Sequence, residues 1–362
     1  MAERMALRNT GVLYDTDLLD VVHPDPKVPA AAPRTTDTHL PSDPVVRTAR
    51  PTLRGHIAIA RPDHWVKQVF VLPGIVLALA SSSLKVTGHT WLSIVLGLVA
   101  VCLVSSSNYV INEVLDAPSD LSHPVKRHRP VPSGLVSVPL AYVQWIALML
   151  IGVGLAFALN TPFGIAMLVL WLMGCAYNIK PVRLKDLPYC DVLSESVNNP
   201  LRMLGGWYMT GIVVFAPTSL LLSYWMVGCY FMAIKRYSEF RDIGDPARAT
   251  AYRKSFAYYT PDRLLVSIVF YGSAAMLFLG AFIMRYRLEL IIAFPLVALV
   301  MAIYLSLAFK SESAVVNPEK LYRERTLMLA VVACALAMGL LMVINIPALN
   351  HIFPPTSLNL GR

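Results

Sequence analysis

Charged residues are scarce in this 362-residue chain: they make up 15% of it, against 56% hydrophobic residues and a mean hydropathy of +0.57. A soluble domain carries about a quarter charged residues, so that class is excluded. Cysteine is also sparse. The five cysteines (Cys102, Cys175, Cys190, Cys229 and Cys334) lie in or beside apolar stretches without metal-ligand spacing, which argues against a disulfide framework or a zinc site and leaves small buried hydrophobes. The roughly ten-residue alternation of a membrane barrel is missing. So is a cleavable leader pattern, because the first apolar run begins near residue 69 behind a polar stretch. No compact basic domain remains once the apolar runs are set aside, so the +9 net charge does not point to nucleic acid.

What is present is length and apolarity. Nine apolar stretches, near residues 69–83, 91–113, 137–159, 162–178, 190–215, 218–234, 264–284, 289–309 and 327–348, predict an all-α, multi-pass membrane protein of about nine helices. The first is the shortest and the fifth the most polar. With the N-terminus in the cytoplasm, 17 Lys and Arg fall in the loops on the inner side and four (Lys85, Arg285, Arg287, Arg362) outside. The bias of basic residues toward cytoplasmic loops therefore predicts that orientation in the inner membrane. Residues 1–53, with seven prolines between Pro24 and Pro51, predict a disordered cytoplasmic tail, and 54–362 the membrane domain. Residues 56–68 predict a short interfacial helix, in which Lys67 is either a membrane anchor or a substrate contact.

The end of the second stretch carries the densest chemistry. Asn112, Asp116 and Asp120 recur every fourth residue, so a continuing helix would place them in one oxygen-rich stripe. Oxygen ligands suit Mg2+, which usually shares its shell with substrate phosphates. Lys126, Arg127 and Arg129 follow at once and would neutralise phosphate charge. The alternative is a helix that ends in water at Pro118, with ordinary interfacial charges around it.

Two further clusters are out of place in so apolar a chain. Asp191, Glu195, Asn198 and Arg202 fall on one helical face of the fifth stretch, which must line a cavity or pair internally because a lipid-facing stripe is too costly. Asp191 is equally readable as an N-terminal acid, and Glu195 with Arg202 as a structural pair. After the sixth stretch come Lys235, Arg236, Tyr237, Ser238 and Glu239, then Arg241, Asp242, Asp245 and Arg253, which echo the first cluster and suggest a weak repeat of helix groups.

These residues resemble the UbiA-type intramembrane transferases. Asn112-Glu113-x-x-Asp116-x-x-x-Asp120 is similar to that family's Asn-Asp-x-x-Asp-x-x-x-Asp, with Glu for one Asp. Arg129-Pro-Val-Pro-Ser-Gly134 and the segment Tyr177 to Lys185 resemble its following motifs. Arg61-Pro-x-x-Trp65-Val-Lys67, the run from His123 to Pro130, and Lys235-Arg-Tyr-Ser-Glu239 look closest to its decaprenyl-phosphate phosphoribosyltransferase branch, while the segment Asp186 to Arg202 departs from that branch.

The resemblance implies nine helices around a cavity open to the cytoplasm and to lipid, Mg2+ as cofactor, and a diphosphate donor with a polyprenyl lipid substrate. It implies metal ligation by Asn112, Asp116 and Asp120, and phosphate or substrate contacts from Lys67, Lys126, Arg127, Arg129, Lys235, Arg236, Tyr237, Arg202 and Asn198. Glu239 or Asp191 would orient the nucleophile or stabilise a cationic centre. The expected reaction is transfer of 5-phosphoribose to a polyprenyl phosphate. The alternatives are prenyl transfer to an aromatic or lipid acceptor and, more remotely, a transporter or scaffold.

Overall fold

The computed structural model describes residues 50–81, 84–121, 125–310, 313–316 and 318–353. The tail expected over residues 1–53 lies outside the described residues up to position 49, as do His123, Pro124 and Arg362. Among the described residues every regular element is helical: α1 (Leu53–Ile59), α2 (Leu72–Leu79), α3 (Gly88–Asp120), α4 (Val138–Leu159), α5 (Thr161–Asn178), α6 (Cys190–Ser196), α7 (Asn198–Tyr208), α8 (Thr218–Ile243), α9 (Pro246–Tyr252), α10 (Pro261–Tyr286), α11 (Phe294–Ala308), α12 (Arg325–Val343) and α13 (Pro347–Ile352). Among the described residues, six segments are long and apolar enough to cross a membrane: α3, α4, α5, α10, residues 288–308 ending in α11, and α12.

The other three apolar stretches take different forms, each for a local reason. Pro73 starts α2, which lasts only eight residues behind a 3₁₀ segment, Pro62–Val71. Pro200 lacks the N–H that a continuous helix would need, and the fifth stretch divides into α6 and α7 at Val197. The sixth forms the long α8, whose last turns carry Arg236 and Glu239 and which ends on Gly244 in the left-handed conformation (φ 68°) that glycine adopts without strain. The single helix expected over residues 56–68 is also two pieces. Arg61 turns left-handed (φ 52°) ahead of Pro62, and α1 docks on α4 through the His56 ring and Gln144 at 3.0 Å.

Caps explain where the long helices start. Thr87 and Thr90 form a reciprocal box at the head of α3, Asn160 accepts from Phe163 N at 2.8 Å on α5, and Thr260 accepts from Arg263 N on α10. Pro118 does not end α3. It sits near the C-terminus, where a single i−4 bond is lost, and Leu121 N resumes the ladder to Ala117 O at 3.2 Å.

Two main apolar cores result. One joins α2, α3, α4, α5 and α7 around Val71, Val104, Phe163, Met167 and Met203. The other joins α8, α10, α11 and α12 around Tyr230, Ile234, Leu264, Ile268 and Tyr304. In the first, α2 and α7 approach backbone to backbone. A Cβ at Gly74 would strike the Met203 carbonyl, and one at Gly206 the Val71 carbonyl, so only glycine permits the crossing.

Candidate functional site

Because α3 runs unbroken to Asp120, Asn112, Asp116 and Asp120 share one side of it, as their spacing requires. Asp116 Oδ1 accepts from Lys185 Nζ at 2.6 Å and from Arg183 Nη2 at 3.2 Å. Asp120 Oδ2 accepts from Arg129 Nη1 at 2.7 Å, so the first basic loop folds back on the helix that precedes it. Asn178 completes the group. Its Oδ1 accepts from Lys185 Nζ at 2.9 Å and from the Asn112 amide. Lysine can only donate, so that atom of Asn178 is an acceptor and Asn112 must turn its N–H toward it, keeping its own Oδ1 for another partner.

Glu113, the departure from the motif, has a separate task. Its side chain is buried and accepts from Val131 N at 3.0 Å, pinning the segment that carries Arg129 to α3. Sequence reasoning missed Arg183 and Lys185 as partners of the acidic face, although both stand in the segment from Tyr177 to Lys185 that carried the resemblance. Arg183 is held in a left-handed conformation (φ 26°), rare for a non-glycine residue and concentrated at functional sites.

The second cluster centres on Asp191, which is fully buried. Its Oδ1 accepts from Tyr259 Oη at 2.6 Å; its Oδ2 accepts from Arg236 Nε at 3.0 Å and Ser255 Oγ at 3.2 Å, with Arg253 Nη1 at 3.7 Å. Arg236 also gives Nη1 to Glu239 Oε2 at 2.9 Å, and its side chain is 3% exposed, so it bridges two carboxylates inside the protein. Lys235 stands 4.0 Å from the other Glu239 oxygen. Tyr237 packs edge-on against Phe309 in the second core.

The remaining expected residues are spread more widely. Arg202 Nε donates to Gln68 Oε1 at 3.1 Å, and no ion pair joins it to Glu195 among the described residues. Asn198 has a buried Oδ1 without a hydrogen-bond partner. Lys67 Nζ lies 3.3 Å from the His64 ring, and Arg127 is exposed and reaches its neighbour His128. Lys126 stacks over Tyr252 at 5.0 Å. Burial, and then the nearby Arg129, hold its ammonium below the ordinary lysine value; burial lowers Lys185 in the same way.

The donor set suits a hard cation in part. Two carboxylates and a carboxamide offer oxygen ligands on one side of α3, and among the described residues no group of three or more His, Cys, Asp or Glu is placed to hold a metal ion. Too small to cage a metal alone, the set fits Mg2+ that brings phosphate oxygens with it.

A family model described as the UbiA prenyltransferase family matches residues 69–323. The chain is 29% identical over 215 residues to a decaprenyl-phosphate phosphoribosyltransferase of Corynebacterium glutamicum, covering 58% of this chain and 61% of that protein. To the enzyme of that name from Mycobacterium tuberculosis it is 28% identical over 222 residues, covering 61% of this chain and 71% of that protein. The fold is similar to that of a UbiA homologue from Archaeoglobus fulgidus solved with DMAPP and Mg2+, at a TM-score of 0.61 and 19% identity, over 80% of this chain and 100% of that one.

Proposed function

Because the chain belongs to the UbiA prenyltransferase family, we propose that it is an intramembrane transferase moving 5-phosphoribose from phosphoribosyl diphosphate to a polyprenyl phosphate. The observation that carries this choice of donor is the Arg236 bridge between Asp191 and Glu239. It commits both carboxylates to a guanidinium and leaves neither free to ligate a second metal ion, which speaks against a donor held by two metal clusters and for one held by direct phosphate contacts. The names of the Corynebacterium and Mycobacterium relatives support the same donor and acceptor.

On this reading Asn112, Asp116 and Asp120 would hold Mg2+, whose part is to share the negative charge of the leaving diphosphate. The C1–O bond to diphosphate breaks, an oxygen of the lipid phosphate bonds to C1, and diphosphate leaves. Lys126, Arg127, Arg129 and Lys235 meet phosphate charge, with Lys67, Asn198 and Arg202 as further substrate contacts. The acceptor is already an anion, so no strong base is needed; positioning and electrostatics carry the rate. About nine helices would surround a cavity open to the cytoplasm and to lipid, with the N-terminus and site mouth on the cytoplasmic side of the inner membrane. A prenyl diphosphate donor is the second reading, favoured by the DMAPP in the Archaeoglobus neighbour.

The test is turnover by the purified protein in detergent with labelled phosphoribosyl diphosphate and labelled prenyl diphosphate, each offered with polyprenyl phosphate. Label passing to the lipid from the first supports the proposal; label passing only from the second replaces it with prenyl transfer.

A further inference from the structure

One cation near both clusters has no part in the reading above. Arg253 stands just after α9, between two residues that reach in different directions. Before it, the Tyr252 ring carries Lys126 Nζ at 5.0 Å, in the loop that also bears Arg129. After it, Lys254 Nζ lies 3.6 Å from Asp186 Oδ2, and Arg183 Nε reaches that oxygen at 3.2 Å. Arg253 is thus bracketed by the loop of Lys126 and Arg129 on one flank and the loop of Arg183 and Lys185 on the other.

We propose that Arg253 is the central contact of a phosphate-binding site assembled from these three loops. The inference rests on the reading of the protein as a transferase of phosphorylated substrates, and it adds to that reading a residue and a place.

Arg253 differs from its neighbours in how little of its charge is matched. Arg129 already pairs with Asp120 at 2.7 Å, and Arg183 and Lys185 with Asp116 at 3.2 and 2.6 Å, so each would meet a phosphate only as a second partner. Arg236 is spent on two carboxylates, with 3% of its side chain exposed. Among the described residues the one carboxylate within ion-pairing reach of Arg253 is Asp191, at 3.7 Å, too long for a hydrogen bond. Asp191 already accepts from Tyr259, Arg236 and Ser255, so it has little capacity left for a fourth donor. The Arg253 side chain is 21% exposed. One donor of the guanidinium goes to the Tyr177 hydroxyl, and among the described residues no carboxylate stands at hydrogen-bond distance of the rest of the fork; a phosphate is the group that matches a planar guanidinium fork. Asp191 then serves as the buried anchor that fixes Arg253 from behind.

The phosphate has three chemical sources: the donor's diphosphate, the donor's 5-phosphate and the acceptor's lipid phosphate. Binding of inorganic diphosphate with Mg2+, of ribose 5-phosphate and of a short-chain polyprenyl phosphate to the full chain in detergent distinguishes them. In Arg253→Ala and in Arg253→Gln, affinity for at least one probe should fall about tenfold or more, the loss of a charge-assisted hydrogen bond. The affected probe names the source. Arg253→Lys should recover part of the affinity, and the melting temperature without added anion should stay near that of the wild type, because Asp191 retains Arg236, Ser255 and Tyr259.

Wild-type affinity for all three probes in both Arg253→Ala and Arg253→Gln overturns the proposal. Inorganic diphosphate carries neither ribose nor a prenyl chain. Turnover of prenyl diphosphate alone would therefore sink the phosphoribosyl reading and leave the diphosphate arm to decide this one.

Discussion

Lys185 Nζ lies 2.6 Å from Asp116 Oδ1, so a lysine 69 residues further along the chain closes the acidic face of α3. The same ammonium holds Asn178, and Arg183 shares the carboxylate from the other side at 3.2 Å. The acidic motif is therefore charge-balanced without any ligand. An arriving phosphate gives these cations a second partner, so each carboxylate can turn an oxygen toward a metal without leaving a buried ammonium alone.

Asp116→Asn and Asp120→Asn should each abolish transfer. Asparagine keeps an acceptor for Lys185 or Arg129 but loses the charge that draws a divalent cation. Loss of several kcal/mol of metal-derived stabilisation corresponds to about a hundredfold or more in rate. EDTA should silence the wild type reversibly, with partial rescue by Mn2+, which also accepts oxygen ligands. Initial rates with saturating Mg2+ check the variants, and full activity in either would remove the metal assignment.

Glu113→Asp restores the residue usual in the motif yet should harm this protein. One methylene shorter, aspartate cannot reach Val131 N from the same backbone position, and the loop that carries Arg129 loses its tether. The expected cost is about 1 kcal/mol of stability, with a larger effect on donor KM because Arg129 loses its register on Asp120. Thermal melts in detergent paired with donor KM measure both; an unchanged KM would show that the tether does not set Arg129.

Much of this was legible along the chain, within definite limits. The stripe of Asn112, Asp116 and Asp120 was readable because helical period is a local property, and α3 continues through Pro118 as the stripe needs. The breaks at Pro73 and Pro200 were harder to read. Hydropathy registers apolar length but not whether the backbone bonds continue through a proline, so the first and fifth of the nine apolar stretches became a short and a divided helix, while the sixth continued into the charged last turns of α8. The pairing of Asp116 with Lys185 and of Asp191 with Arg236 crosses 69 and 45 residues, and tertiary packing creates such partnerships without leaving a spacing rule. Arg236 illustrates this. From sequence it is one base in a basic loop with Glu239 three residues on; its second carboxylate partner, Asp191, emerges only when α6 packs on α8.

Tyr259→Phe should separate scaffold from chemistry. It removes the 2.6 Å donor to Asp191 Oδ1 and leaves that buried oxygen without its partner, at a cost of roughly 1.5–3 kcal/mol. Arg236→Ala should cost more, about 3–5 kcal/mol, because Asp191 and Glu239 would then be buried without their shared cation. Chemical denaturation in mixed micelles ranks the two. Equal stability of Arg236→Ala and wild type would mean that this guanidinium is not structural.

Lys126 sets the last expectation, which concerns pH. Its ammonium is held below the ordinary lysine value by burial first and then by Arg129, with Arg253 acting in the same direction and Asp120 and Glu239 opposing them. A phosphate is attracted to the protonated form, so donor affinity is full below the pKa of Lys126 in the folded protein and declines as pH rises through it. Because that pKa is lowered, the decline should begin at a less alkaline pH than for a solvent-exposed lysine. Arginine stays charged throughout the accessible range, so Lys126→Arg should flatten the alkaline limb while keeping most of the affinity at neutral pH. Donor KM measured from neutral to alkaline pH in both proteins tests this; an identical alkaline limb in Lys126→Arg would assign the titration to another group.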